Sequence, residues 1–95
     1  MDARRLVGWN VRRLRVAKSL TIEELAGLAG VDESFVARLE RGQVNVGIDI
    51  LGRLASVLGE ELGELVVKPP PGAKPPKPLR AGRRPGTRKS PQDRS

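Results

Sequence analysis

The side chains of this chain that could do chemistry are almost all cations and carboxylates: 18 Lys and Arg, 11 Asp and Glu, and no histidine, cysteine or tyrosine among 95 residues. Without a thiol there is no disulfide, no thiolate nucleophile and no thiolate metal site. Without imidazole the usual general base and the commonest zinc ligand are missing too. The composition therefore argues against an enzyme and offers neither a cofactor site nor a metal site. What remains is recognition by charge and hydrogen bond. Arg12, Arg13, Arg15 and Lys18 fall within two helical turns, Arg38 and Arg41 are one turn apart, and Arg80, Arg83, Arg84, Arg88 and Lys89 crowd the C-terminal stretch. Guanidinium forks at such density suit a polyanion.

The formal charge of +7 hides a division along the chain. Residues 1–67 carry nine Lys/Arg against ten Asp/Glu, whereas residues 68–95 carry nine against a single Asp. All eight prolines lie in the second part, between Pro69 and Pro91, and Leu79 is nearly its only large apolar residue. Such a segment cannot bury a core. We therefore expect one folded domain over 1–67 and a disordered, polyproline-biased, basic tail over 68–95. Charge is uneven inside the domain as well. Residues 1–18 hold six Lys/Arg and one Asp, while residues 19–67 hold three Arg and nine acids. No apolar run approaches the ~20 residues that span a bilayer, and no signal-type apolar segment opens the chain, so the expectation is a cytoplasmic protein without a membrane partner.

The elements that would position these charges are all helical, because apolar residues recur at three and four and no stretch alternates with period two. A first helix over about Ala3 to Lys18 places Leu6, Val7, Val11, Leu14 and Ala17 on one side, with Arg5, Trp9, Arg12, Arg13 and Val16 opposite. Thr21 and Glu24 form a capping box, so a second helix starts at Ile22, with Leu20 and Leu25 as a hydrophobic staple. Gly30 supplies a tight turn and Asp32 caps a third helix from Glu33 to about Arg41. Gly42 and Gly59 end the third and fourth helices. The fourth helix is expected to bury Ile48, Leu51, Leu54, Ala55 and Leu58, and a short fifth, about Glu61 to Val66, to bury Leu62, Leu65 and Val66.

Helix, glycine turn, helix, with Ala26, Gly30 and Val36 at these intervals, is the helix-turn-helix arrangement. Ala26 is small where the two helices cross, Gly30 makes the turn, and Val36 pins the third helix to the core. The stretch VRRLRVAKSLTIEELAGLAGVDESFVARLERG followed by IDILGRLASVLG resembles the Cro/repressor (Xre-like) family of bacterial and phage transcriptional regulators, over roughly Val7 to Val66. The resemblance implies a five-helix domain that reads the DNA major groove with its third helix and acts as a homodimer. It also implies a fold-building pair between Arg15 and Glu40.

On that reading, Glu33, Ser34, Ala37, Arg38 and Arg41 share the DNA-facing arc of the third helix. Arg38 is the expected base reader, since its fork matches guanine O6 and N7. Glu33 could accept from cytosine N4, and Ser34 could bond a base or a phosphate. Arg12, Arg13, Lys18, Ala37, Arg41 and Gln43 are the expected phosphate contacts, with Arg80, Arg83, Arg84, Arg88 and Lys89 adding contacts from the tail. Around Arg83-Arg84-Pro85 the tail is loosely similar to an A·T minor-groove hook, but non-specific phosphate binding is the preferred reading.

Three features depart from the family pattern. Ile22 stands where a phosphate-bonding Gln is common, the loop after Arg41 reads Gln43-Val44-Asn45-Val46-Gly47 with no cation, and Asp32 and Glu33 open the third helix. Ile22, Asp32 and Glu33 support an alternative: a protein-interaction adaptor on the same fold that uses Trp9 and the acidic side of the domain to hold a protein partner. Trp9 and Val16 lie on the outer side of the first helix, where either the chain near Val66-Val67 or such a partner would cover them.

Overall fold

A computed structural model describes residues 1–73. Its elements are α1 (Ala3–Ala17), α2 (Ile22–Ala29), α3 (Glu33–Glu40), α4 (Ile48–Leu58) and a 3-10 helix (Leu62–Val66), with no strand among the described residues. The expected tail contacts at Arg80, Arg83, Arg84, Arg88 and Lys89, and the expected disorder of the tail, lie outside the described residues. No helix among the described residues is long and apolar enough to cross a membrane.

Local signals set the boundaries. Thr21 Oγ1 accepts from the Glu24 N–H at 3.0 Å, and Glu24 Oε1 accepts from the Thr21 N–H at 2.8 Å, so the capping box satisfies two orphan donors of α2. Gly30 ends α2 at φ 71°, a left-handed conformation costly for any residue with a Cβ, and lets the Val31 N–H return to the Ala26 carbonyl at 3.0 Å. Asp32 holds the N-cap position of α3, but its side chain makes no capping bond, contrary to expectation. Its carboxylate instead accepts from the Ser34 hydroxyl at 2.8 Å.

The core is built from Val7, Val11 and Leu14 of α1, Leu25 and Ala26 of α2, Val36 and Leu39 of α3, Leu51, Leu54 and Leu58 of α4, and Leu65. Four residues expected inside are not. Ala17 is exposed because the chain leaves α1 there, turning through Ser19 at φ 57°. Ile48 is 66% exposed, since it opens α4 before the helix reaches its first neighbour. Leu62 and Val66 are 38% and 49% exposed.

The fifth element is 3-10 rather than α, and its Glu64 N–H bonds the Glu61 carbonyl three residues back. At three residues per turn Val66 stands a third of a turn from the line of Leu62 and the buried Leu65, which accounts for the exposure of Val66 but not for that of Leu62. Pro69 and Pro70 follow closely and cannot extend a helix.

Gly8 sets how closely α1 and α3 approach. A Cβ there would lie 2.4 Å from the Leu39 carbonyl oxygen and 2.8 Å from that of Glu40, both backbone atoms. Gly8→Ala is expected to destabilise the domain by about 1–3 kcal/mol, although Ala is the better helix former by ~1 kcal/mol, because the two helices must move apart. Gly52→Ala, with nothing within 4 Å of its new methyl, should gain stability instead. Urea denaturation of the two variants decides the matter, and a stabilised Gly8→Ala would show that the crossing has slack.

Candidate nucleic-acid interface

The face that α3 turns to solvent is fixed from behind. Val36 and Leu39 are fully buried or nearly so, and Phe35 packs against the core from the border. At the far end Glu40 is held by α1. Arg15 Nε donates to Glu40 Oε2 at 2.6 Å, Arg15 Nη2 donates to Oε1 at 3.0 Å, and both side chains are about 5% exposed. Arg15 Nη1 also donates to the Leu20 carbonyl at 2.8 Å, so one guanidinium joins α1, the α1–α2 turn and the end of α3. With Gly8 beneath Leu39 and Glu40, α3 has little freedom to roll. Ala26, at 3% exposure, permits close approach to α2, where these two helices meet.

The outward face then carries Glu33, Ser34, Arg38 and Arg41, all exposed, with Ala37 half-buried between them. Ser34 spends its hydroxyl proton on Asp32, leaving its oxygen as an acceptor. Arg38 Nε donates to the Ser34 carbonyl at 3.3 Å, which lays its stem along the helix and leaves the outer amino groups of the fork uncommitted among the described residues. Arg41 Nε donates to Gln43 Oε1 at 3.2 Å, so these two phosphate candidates act from one turn.

The remaining phosphate candidates are dispersed. Arg12 is half-buried, and its Nε is buried without a hydrogen-bond partner. Arg13 faces away from α3: its guanidinium donates to Asn10 Oδ1 at 3.1 and 3.4 Å and lies 4.0 Å from the Glu64 carboxylate. Lys18 places Nζ 3.1 Å from where a Cβ on Gly59 would be, at the negative end of α4. The structure thus keeps Arg41 at the end of α3, gives Arg12 no partner among the described residues, and sends Arg13 and Lys18 elsewhere.

Asn10 is the buried residue that sequence reasoning missed. It is 1% exposed, and its Nδ2 donates to the carbonyls of Leu65 at 3.1 Å and Val67 at 2.8 Å, closing the C-terminal strap onto α1. An Asn between the core positions Val7, Val11 and Leu14 was the available signal, since mid-helix Asn has low propensity and a buried amide demands partners. Beside it Trp9 is half-buried in a groove of about 230 Å³ that it shares with Arg13, Val67, Pro69 and Pro70. The outer tryptophan and the chain that follows the 3-10 helix thus line one groove.

Comparison with known proteins identifies the fold that carries this face. The Helix-turn-helix family model (HTH_3) matches residues 11–65, from the middle of α1 to the buried Leu65. An uncharacterised HTH-type transcriptional regulator, y4dJ of Sinorhizobium fredii, is 44% identical over 66 residues, covering 70% of this chain and 86% of the relative. Among solved structures, the hypothetical transcription factor NHTF from Neisseria superposes with a TM-score of 0.70 at 32% identity, over 72% of this chain and 78% of that one. The restriction-modification controller protein C.AhdI from Aeromonas hydrophila superposes with a TM-score of 0.64 at 44% identity, over 65% of this chain and 94% of the controller. The chain belongs to the helix-turn-helix family of DNA-binding transcriptional regulators, in its Cro/repressor (Xre-like) class.

Proposed function

We propose that the protein is a sequence-specific regulator, acting in the cytoplasm without catalysis, that reads the major groove with α3 and gains non-specific phosphate affinity from residues 68–95. One observation carries the reading: an exposed arc of Glu33, Ser34, Arg38 and Arg41 is held against the core by the buried Arg15–Glu40 pair. Rigid placement is what base readout requires, because each bidentate contact discriminates only when its fork is aimed. Likeness to a restriction-modification controller over nearly all of that chain supports a regulator whose helix-turn-helix domain itself engages DNA.

A homodimer fits this reading. An eight-residue helix spans few base pairs, so useful specificity needs two copies on two half-sites one helical turn apart. The solvent-facing Ile48, Leu62, Val66 and Val67 offer apolar surface for a second copy to cover. The adaptor alternative is the weaker reading, because Trp9 already shares its groove with Pro69 and Pro70.

Selection of bound duplexes from random DNA tests the proposal, with palindromic enrichment as the expected result. Uniform recovery would leave only charge. Given a selected site, Arg38→Ala is expected to lose about 1–3 kcal/mol of discrimination at one base pair. Titrations on cognate and shuffled duplexes check it, and equal losses on both would remove Arg38 from the reading role.

A further inference from the structure

We infer that Arg5, at the start of α1, is a DNA-phosphate contact seated by the glycine turn after α3 and acting with Arg12 and Arg41. The inference rests on the DNA-binding reading above and adds a residue to it. Gly42 follows α3 with φ 72°, and a Cβ there would lie 2.8 Å from Arg5 Cγ and 3.1 Å from Arg5 Cα. The Arg5 stem and backbone therefore lie directly against the turn whose flanking residues, Arg41 and Gln43, are bonded to each other at 3.2 Å. One ledge is made from two segments more than 35 residues apart in sequence.

The same face of α1 extends the ledge. Positions 5, 8, 12 and 15 form one line on a helix, and three of them touch the end of α3: Arg5 at Gly42, Gly8 at the Leu39 and Glu40 carbonyls, and Arg15 at the Glu40 carboxylate. The fourth, Arg12, lies between Gly8 and Arg15 on that line and has a buried Nε with no partner.

Charge pairing separates these three arginines from Arg13 and Arg15. Among the described residues none of the guanidiniums of Arg5, Arg12 and Arg41 has a carboxylate within 4 Å, whereas those of Arg13 and Arg15 are paired with Glu64 and Glu40. The nearby Asp2 carboxylate accepts from the Arg5 backbone N–H at 2.9 Å as the cap of α1. The negative end of the α3 dipole offsets part of their mutual repulsion, and a phosphate backbone would offset the rest. The opposite end of α3 carries Asp32 and Glu33, α2 opens with Ile22, and the loop from Gln43 to Gly47 has no cation. A strand running past α3 thus meets carboxylates at one end and unpaired guanidiniums at the other. Backbone anchoring on this domain belongs at the Gly42 turn, with Arg5 supplying what the loop lacks.

The test uses the full chain on its selected duplex and on a shuffled one, across a salt series. Arg5→Ala is expected to weaken both duplexes alike, several-fold at low salt, and to flatten the slope of log K against log salt by about 0.9. Arg5→Lys should recover most of that slope. Arg4→Ala, an exposed neighbour outside the contact with Gly42, should change it less. If Arg5→Ala lowers the melting temperature, Arg5→Gln, which keeps the stem on the turn, repeats the measurement. A wild-type slope in Arg5→Ala or Arg5→Gln, or a change no larger than that of Arg4→Ala, overturns the assignment while the wild type still prefers its site. A wild type without preference between the duplexes overturns the DNA reading and this inference together.

Discussion

Arg15→Ala is expected to cost about 3–5 kcal/mol, a large share of the total stability of a domain this small. The substitution strands two acceptors at once. The Glu40 carboxylate loses bonds of 2.6 and 3.0 Å at a site where its side chain is 5% exposed, and the Leu20 carbonyl loses one of 2.8 Å. Neither has another hydrogen-bond partner among the described residues. At the usual scaling for a domain of this size, the melting temperature should fall by on the order of 20 °C.

Arg13→Ala is the control at an exposed cation. Its ion pair with Glu64 is 4.0 Å long, with side chains 41% and 48% exposed, and such pairs contribute about 1 kcal/mol or less. The bonds it also loses to Asn10 Oδ1, at 3.1 and 3.4 Å, leave no buried charge unpaired. Replacing both Arg15 and Glu40 by apolar residues of similar volume should recover much of the loss, because the penalty belongs to the unpaired charge more than to the missing attraction. Were Arg15→Ala to shift the denaturation midpoint no further than Arg13→Ala, the pair would have no special part in holding α3.

What could be read from sequence divides by the distance over which a residue finds its partners. The α2 start was legible because Thr21 and Glu24 satisfy each other within one turn, and the turn at Gly30 because positive φ is a property of that residue alone. Asn10 was not legible in the same way: beside the local Leu6 carbonyl, the acceptors that give it its structural part lie 55 and 57 residues away. Periodicity names the apolar side of a helix but not where its covering ends. Ile48 and Val66 were therefore placed inside although the structure leaves them outside. The cations show the same limit. Arg12 and Arg13 are adjacent in sequence, yet one lies in line with the contacts to α3 and the other joins the C-terminal strap. Arg5 looked like one more charge on the outer face of α1 until the Gly42 turn was found against it.

Deleting residues 74–95 is expected to flatten the salt dependence of DNA binding by several units while leaving sequence preference intact. Residues 1–73 carry ten Lys/Arg and ten Asp/Glu, whereas residues 74–95 carry eight Lys/Arg and one Asp. Each phosphate neutralised contributes about −0.9 to the slope of log K against log salt, so a domain of zero net charge with a few unpaired arginines should have a shallow slope and the full chain a steep one. The cut must fall after Ala73. Asn10 holds the Val67 carbonyl, and Pro69 and Pro70 line the groove at Trp9, so ending the chain at Val67 would expose Trp9 and confuse loss of affinity with loss of fold. Matched titrations of the shortened and full chains on selected and shuffled duplexes between about 50 and 200 mM salt separate the two contributions. A shortened chain that keeps the full slope would place the phosphate contacts in the domain. One that stays folded but no longer distinguishes the two duplexes would move sequence reading from α3 to the arginines at 80–88, which then would have to enter the minor groove.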